Sequence, residues 1–265
     1  MQYGAMNFPV MPVLEQIEDI ARLGFDYVEL AMDPPMAHYS LLAADRKEIS
    51  GILASCGLGL ICHLPTFVST ADLTASLRQA SIMEMRRSLE VALELGAKKA
   101  VVHPSAAVGL GAFVPETVKR HAFDFLVEIT SAAEEMQIPL CFENMFPRYR
   151  IGVTPEDLDE IFTAFPSLRL TLDTGHANID SEGNSRLLQL VERFGRRLGH
   201  LHFSDNHGKR DDHLAVGRGT VDFAELVRRL KAIGYDDTIT LEVFEKDRQL
   251  LADSRRKIEA LFEEM

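Results

Sequence analysis

Residues 200–219, HLHFSDNHGKRDDHLAVGRG, gather four histidines (His200, His202, His207, His213) and three aspartates (Asp205, Asp211, Asp212) within twenty residues. Imidazoles and carboxylates are the side chains that bind divalent cations and move protons near neutral pH. Similar residues close short apolar runs elsewhere in the chain: Glu29, His63, His103, Glu143, Asp173 and Glu242. Any one of them alone is more often a hydrogen-bonded structural group than a ligand. Several carboxylates brought together repel, and one must take up a proton unless a cation compensates. A bound divalent ion is the economical solution if the fold gathers them.

Two spacings point the same way. In LDTGHAN, Asp173 and His176 stand three apart across an expected tight Thr-Gly turn, so both can face one site. In DDHLAVGRG, Asp211 and His213 stand two apart, and alternate residues of an extended loop share a face. A mixed histidine and carboxylate set suits zinc or manganese better than calcium or an all-thiolate zinc site.

The elements that must position these residues alternate regularly. Short apolar runs lie at 2–6, 26–31, 58–63, 99–103, 138–143, 168–173, 198–203 and 238–243. Each is rich in β-branched or apolar residues and bounded by turn signals, as strands are. Helical patterns lie between them. VLEQIEDIARLG, SLRQASIMEMRRSLEVALELG and VDFAELVRRLKAIG end at Gly24, Gly96 and Gly234, and TPEDLDEIFTAF opens on Thr154, Pro155 and two acids. Further helices are expected near 40–56, 115–137, 184–197 and 246–264.

Eight strands alternating with eight helices imply parallel strands and an α/β fold. The size fits a single (β/α)₈ TIM barrel covering residues 1–265. A doubly wound open sheet is the alternative, but no Gly-rich phosphate loop follows the first strand. In a barrel the C-terminal strand ends converge on one mouth. Seven consecutive strands, the second to the eighth, would deliver Glu29, His63, His103, Glu143, Asp173, His202 and Glu242 there. His200 falls one layer deeper on the face of His202. His121 reads as a surface residue of a helix, and His38 and His207 have no comparable context.

Composition excludes some partners. The 265 residues are 46% hydrophobic and 26% charged, enough apolar material for a large core. No stretch approaches eighteen uninterrupted apolar residues, so no membrane span is expected. MQYGAMNFPVMP lacks the basic start and long apolar run of a signal peptide. Cys62 and Cys141 fall in strand-like runs and read as buried hydrophobes, and with Cys56 they form no pairing framework; a cytoplasmic location is expected. A net charge of −12 argues against broad nucleic-acid affinity.

Taken together, VVHP, ENM, LDTGHAN, HLHFSDN, DDHLAVGRGTVDF and LEVF resemble the xylose isomerase-like TIM-barrel superfamily over nearly the whole chain. That superfamily includes sugar-phosphate isomerases and epimerases and endonuclease IV. The resemblance implies a metal set of His63, His103, Glu143, Asp173, His176, His202, Asp211, His213 and Glu242. In endonuclease IV-like members such a set holds three zinc ions that cleave a phosphodiester. In epimerase-like members one manganese or similar ion is held at the positions of Glu143, Asp173, His202 and Glu242, and His176 resembles a substrate-binding histidine.

The expected activity is therefore a metal-dependent sugar or sugar-phosphate isomerase or epimerase, using one to three zinc or manganese ions and a small-molecule carbohydrate. Glu143 and Glu242 would exchange the proton next to the carbonyl. Lys209, Arg210 and Arg148, with Arg150, are candidates to hold a phosphate or hydroxyls, although a solvated loop charge is the commoner role for any one of them. Asp205 and Glu29 are expected as supports behind the ligands. The alternatives are an endonuclease IV-like zinc phosphodiesterase and a silent binding barrel. The absence of a basic, aromatic-interleaved loop disfavours the first.

Overall fold

The computed structural model describes residues 1–106 and 109–264. Its strands are β1 (Gln2–Met6), β2 (Tyr27–Ala31), β3 (Gly59–His63), β4 (Ala100–Val102), β5 (Leu140–Glu143), β6 (Arg169–Asp173), β7 (Leu198–Phe203) and β8 (Thr238–Leu241). Every neighbouring pair is parallel, and β8 returns to β1 to close the barrel. The helices around it are α1 (Val13–Arg22), α2 (Tyr39–Ala44), α3 (Arg46–Cys56), α4 (Ala75–Glu94), α5 (Pro115–Met136), α6 (Pro155–Ala164), α7 (Thr174–Asn178), α8 (Ser185–Phe194), α9 (Phe223–Ala232) and α10 (Gln249–Glu264). Among the described residues, no helix is long and apolar enough to cross a membrane.

The chain makes these elements for local reasons. In α1, Val13, Gln16, Ile17 and Ile20 are buried at helical spacing and pack on the sheet. Thr154 caps α6 by accepting from the Asp157 amide, while the Asp157 carboxylate accepts from the Thr154 amide. The single helix expected over 40–56 is instead two, because Asp45 leaves helical geometry at φ −92°, ψ 12°.

Alternation along each strand divides the core in two. Val28, Leu30, Leu60, Val102, Phe142 and Leu172 face the helices and join the large apolar cluster between sheet and helix ring. Tyr27, Ile61, Val101 and Cys141 form a separate small cluster inside the barrel. The Tyr27 ring occupies the space beside Gly4, where a Cβ would come within 2.1 Å of it. The β6–β8 side of the interior is polar and holds Thr171, His200 and Thr240, all fully buried. This polar side leads upward to the mouth.

Candidate active site

His63, Glu143 and Asp173 are the last residues of β3, β5 and β6, and His202 is the last but one of β7. His103 and Glu242 each follow directly on β4 and β8. His176 comes from α7, and Asp211 and His213 come from the loop between β7 and α9. The segment after Asp173 is a short helix rather than a tight Thr-Gly turn. Asp173 caps it, its Oδ1 accepting from the His176 amide at 2.5 Å, and that cap brings the His176 ring toward the mouth. Glu29 differs from expectation too: it lies two residues before the end of β2, fully buried below the mouth. Six strands, not seven, therefore deliver polar groups to the mouth itself.

Glu143 is the hub. Its Oε2 lies 3.1 Å from His63 Nε2, and its Oε1 lies 3.1 Å from His176 Nδ1 and 3.3 Å from His202 Nδ1. His202 Nδ1 is also 3.0 Å from Glu242 Oε1 and 3.8 Å from Asp173 Oδ2. Asp211 Oδ2 bridges His176 Nε2 at 3.3 Å and His213 Nε2 at 3.0 Å. All nine side chains of the expected set lie in one connected group.

Backbone partners fix the ring orientations. Nδ1 of His63, His103, His176 and His213 lies 2.8, 3.0, 2.9 and 3.2 Å from the carbonyls of Leu64, Pro104, Asn144 and Glu242. Each Nδ1–H donates there, leaving Nε2 for the site. His202 is reversed: its Nε2 lies 3.0 Å from Glu29, and its Nδ1 faces the carboxylates.

Two groups are spaced to share a cation at the mouth, His63–His103–Glu143 and Glu143–Asp173–His202. Buried atoms there also lack a hydrogen-bond partner: His202 Nδ1, Asp173 Oδ2 and Asp211 Oδ1. A buried polar atom without a partner is costly, and a cation between His202 Nδ1 and Asp173 Oδ2 would satisfy both. The donor set of imidazole and carboxylate fits a transition-metal or zinc ion.

Without a cation, protons hold the cluster together. Burial disfavours a charged His63, but Glu143 outweighs it and lifts the imidazole to about 9. His213 reaches about 9 in the same way, through Asp211. His176 and His202 also stand well above the ordinary histidine value, burial being overcome by the surrounding carboxylates. His103 lacks such a partner, and burial drops it to about 4. Burial raises Asp173 to about 7, assisted by Glu242 and Glu143 against His176. Burial likewise raises Glu242, whereas in Glu143 the histidines overcome burial and hold the carboxyl well below its ordinary value. Carboxylates pushed apart in this way are suited to opposite proton-transfer roles.

A cavity of about 580 Å³ opens above the cluster. Its floor carries His63, Glu143, His176 and Glu242, and its walls are apolar, with Phe8, Phe67, Phe146, Tyr149 and Phe244. Nothing in their spacing marked these aromatics beforehand, since they come from four separate loops. Of the basic candidates, Arg148 lines the cavity, whereas Arg150 donates to the Ala112 carbonyl. Lys209 and Arg210 are 80% and 84% exposed and pair with Asp180 and Asp212, so the structure does not bring them to the site. Lys209 and His207 instead border a surface hollow of about 670 Å³ beside α8 that contains none of the nine. His121 is not the surface residue expected but largely buried on α5, 3.7 Å from Asp124, and His38 pairs with Glu84.

Asp205 touches none of the nine. Its carboxylate accepts from the amides of Asn206, Gly217, Gly219 and Val221, closing the loop that carries Asp211 and His213. A Cβ on Gly219 would come within 2.2 Å of the Asn206 carbonyl, so only glycine lets that loop approach.

Residues 17–263 match the model of the xylose isomerase-like TIM barrel family. The chain belongs to this family. An uncharacterized protein, MJ1311, of Methanocaldococcus jannaschii is 30% identical over 256 residues, covering 91% of this chain and 83% of that protein. The L-ribulose 3-epimerase of Methylomonas sp. (strain DH-1) is 26% identical over 239 residues, covering 87% of this chain and 78% of that enzyme. Among solved structures, a D-tagatose 3-epimerase-like protein superposes with a TM-score of 0.86 at 28% identity, covering 99% of this chain and 97% of that one. Relatives of this chain within the family are thus named as sugar 3-epimerases.

Proposed function

We propose that this protein is a divalent-metal-dependent epimerase that inverts the hydroxyl-bearing carbon next to the carbonyl of a ketose. The observation that carries the reading is the pair of unpartnered buried atoms, His202 Nδ1 and Asp173 Oδ2, set between Glu143 and Glu242 beneath a cavity. The named 3-epimerases among its relatives support it.

Glu143, Asp173, His202 and Glu242 would hold the ion. A divalent cation bound there supplies electrostatic stabilisation of the negative charge that develops on the sugar oxygens when the neighbouring carbon loses its proton. Glu143 and Glu242 both reach the cavity, from strands three apart in the ring. One carboxylate takes the proton from the carbon, the electron pair passes to the carbonyl oxygen, and the other carboxylate returns a proton to the opposite face. In the reverse direction the two exchange roles, so no net proton is consumed. His176, held by the Asn144 carbonyl, stands at the cavity floor to hydrogen-bond a substrate hydroxyl. The aromatic walls exclude water from the exchanging carbon.

The test is incubation of the Mn²⁺-loaded protein with a panel of ketohexoses and ketopentoses in D₂O. Epimer formation with deuterium at the inverted carbon, abolished by EDTA, is expected. Absence of both product and deuterium across the panel would sink the reading.

One observation favours a second reading. The His63–His103–Glu143 group is spaced for a further cation beside the first, which a multinuclear phosphodiesterase would need. Three tightly bound zinc ions per chain together with nicking of an abasic-site duplex would establish it over the epimerase.

A further inference from the structure

Below the mouth, a hydrogen-bonded column runs the length of the barrel interior, and none of the sugar chemistry above uses it. At the N-terminal end, Lys99 is buried and donates to the Gly199 carbonyl at 2.6 Å, to both Asp237 oxygens at 2.9 Å and to Thr238 Oγ1 at 3.1 Å. Thr238 Oγ1 lies 2.7 Å from His200 Nδ1, and His200 Nε2 lies 2.8 Å from Glu29 Oε2. The other oxygen of Glu29 lies 3.0 Å from His202 Nε2. Tyr27 and Thr240 brace the middle: the Tyr27 hydroxyl lies 2.8 Å from Thr240 Oγ1, which donates to Glu29 Oε2 and lies 3.2 Å from His200 Nε2.

Directionality makes this column informative. An ammonium group can only donate. Thr238 Oγ1 therefore accepts from Lys99, and its own hydrogen is left to donate to His200 Nδ1. A His200 ring that accepts at Nδ1 carries its hydrogen on Nε2 and donates to Glu29. Glu29, already accepting from His200 and Thr240, accepts again from His202 Nε2–H. The one ring nitrogen of His202 that can release its hydrogen is then Nδ1, which faces Glu143, Asp173 and Glu242.

We infer that Lys99, Thr238, His200 and Glu29 act as positioning residues, a strut of fixed hydrogen-bond polarity that makes His202 present its Nδ1 lone pair to a cation at the mouth. This rests on the metal-dependent reading for its consequence, but not for its hydrogen-bond geometry. It accounts for the reversed ring of His202, whose Nε2 is turned to Glu29 where the other mouth histidines give Nδ1–H to a backbone carbonyl. It also gives the buried lysine at the far end of the barrel a part in the site.

Two measurements test it. Long-range ¹H–¹⁵N spectra of the ion-free protein should show His200 with its hydrogen on Nε2 and none on Nδ1. Zn²⁺ titrations should find Thr238→Val binding at least about tenfold more weakly than wild type, in line with losses of outer-shell partners, and Thr238→Ser, which keeps the hydroxyl, close to wild type. A hydrogen on His200 Nδ1 in the wild-type protein, or equal Zn²⁺ affinity for all three proteins, overturns the strut. If Thr238→Val does not fold, the wild-type spectrum decides alone. If the wild-type protein binds neither Zn²⁺ nor Mn²⁺, the metal-dependent reading fails, and the His200 spectrum still decides whether the polarity is as inferred.

Discussion

Asp211 and His213 face each other two residues apart on one loop, with Oδ2 and Nε2 separated by 3.0 Å. His213 adopts φ +46°, a left-handed conformation rare for a bulky side chain, and that turn aims the ring back at Asp211. The pair sits to one side of the Glu143–Asp173–His202–Glu242 group. In a one-ion epimerase, Asp211→Asn and His213→Gln should therefore retain one bound ion, with turnover reduced by about 10- to 100-fold, as for outer-shell partners. Elemental analysis and the sugar assay check this. Loss of all bound metal in either variant would show that the pair belongs to the primary ion site.

Metal uptake at neutral pH should expel protons. In the ion-free chain Glu242, Glu29 and Glu143 overcome burial and hold His202 well above the ordinary histidine value, and a ligating imidazole must give up its extra proton. Affinity should thus rise with pH from 7 toward 9. Calorimetric titration with Mn²⁺ in phosphate and in Tris should give apparent enthalpies that differ according to the buffers' heats of ionisation. Identical enthalpies in the two buffers would contradict this picture.

The same shifts set the stability of the ion-free chain. An unfolded histidine titrates near about 6.5. With folded values of about 9, His63 and His213 favour folding fully below the unfolded value and lose that contribution as pH climbs to 9. His103, at about 4, completes its titration below this window, and Asp173, raised to about 7, loses its proton in the lower part of it and adds to the fall. Thermal melting in EDTA should fall by several degrees between pH 6.5 and 9. A flat or rising profile would count against the protonated cluster.

How much of this the chain discloses beforehand depends on the range of the interaction. Strand ends and helix stops are local, so the alternation, the barrel and the convergence of Glu143, Asp173 and Glu242 follow from short apolar runs and their punctuation. Gly96, at φ +79° just past α4, is such a signal. The column under His202 is not local: Lys99 and Thr238 are 139 positions apart, and nothing near either residue announces the contact. His200 looks like a spare histidine until the barrel closes around it. Loop charges mislead for another reason: Lys209 and Arg210 lie beside ligands in the chain, but Lys209 turns to Asp180 across the fold and Arg210 to Asp212 on the same loop.

Asp205 connects sequence to stability through a loop. Four backbone amides converge on its buried carboxylate, and no other group in that loop replaces it. Hydrogen bonds to a charged acceptor contribute about 1.5–3 kcal/mol each, though not additively. Asp205→Ala should lower thermal stability more than Asp211→Ala does, because the loop that carries Asp211 and His213 loses its anchor. A melting temperature within a degree of wild type would refute the anchoring role.

A preference for phosphorylated sugars would have to rest on Arg148. Among the described residues it is the one lysine or arginine on the wall of the cavity, and it is exposed. A phosphate usually needs several converging donors, such as a bidentate guanidinium with backbone amides at a helix N-terminus. Here the rest of the wall is mostly apolar with the acids Asp33 and Asp211, and Lys209 and Arg210 pair with acids outside the cavity. Unphosphorylated ketoses should therefore be turned over at least as well as their phosphates, and Arg148→Ala should raise KM with little change in kcat, the mark of an interaction made equally in ground and transition states. Competition between a ketohexose and its 6-phosphate measures the first point directly. A strong preference for the phosphate that disappears in Arg148→Ala would reverse the assignment and make Arg148 the anchor of a phosphate subsite.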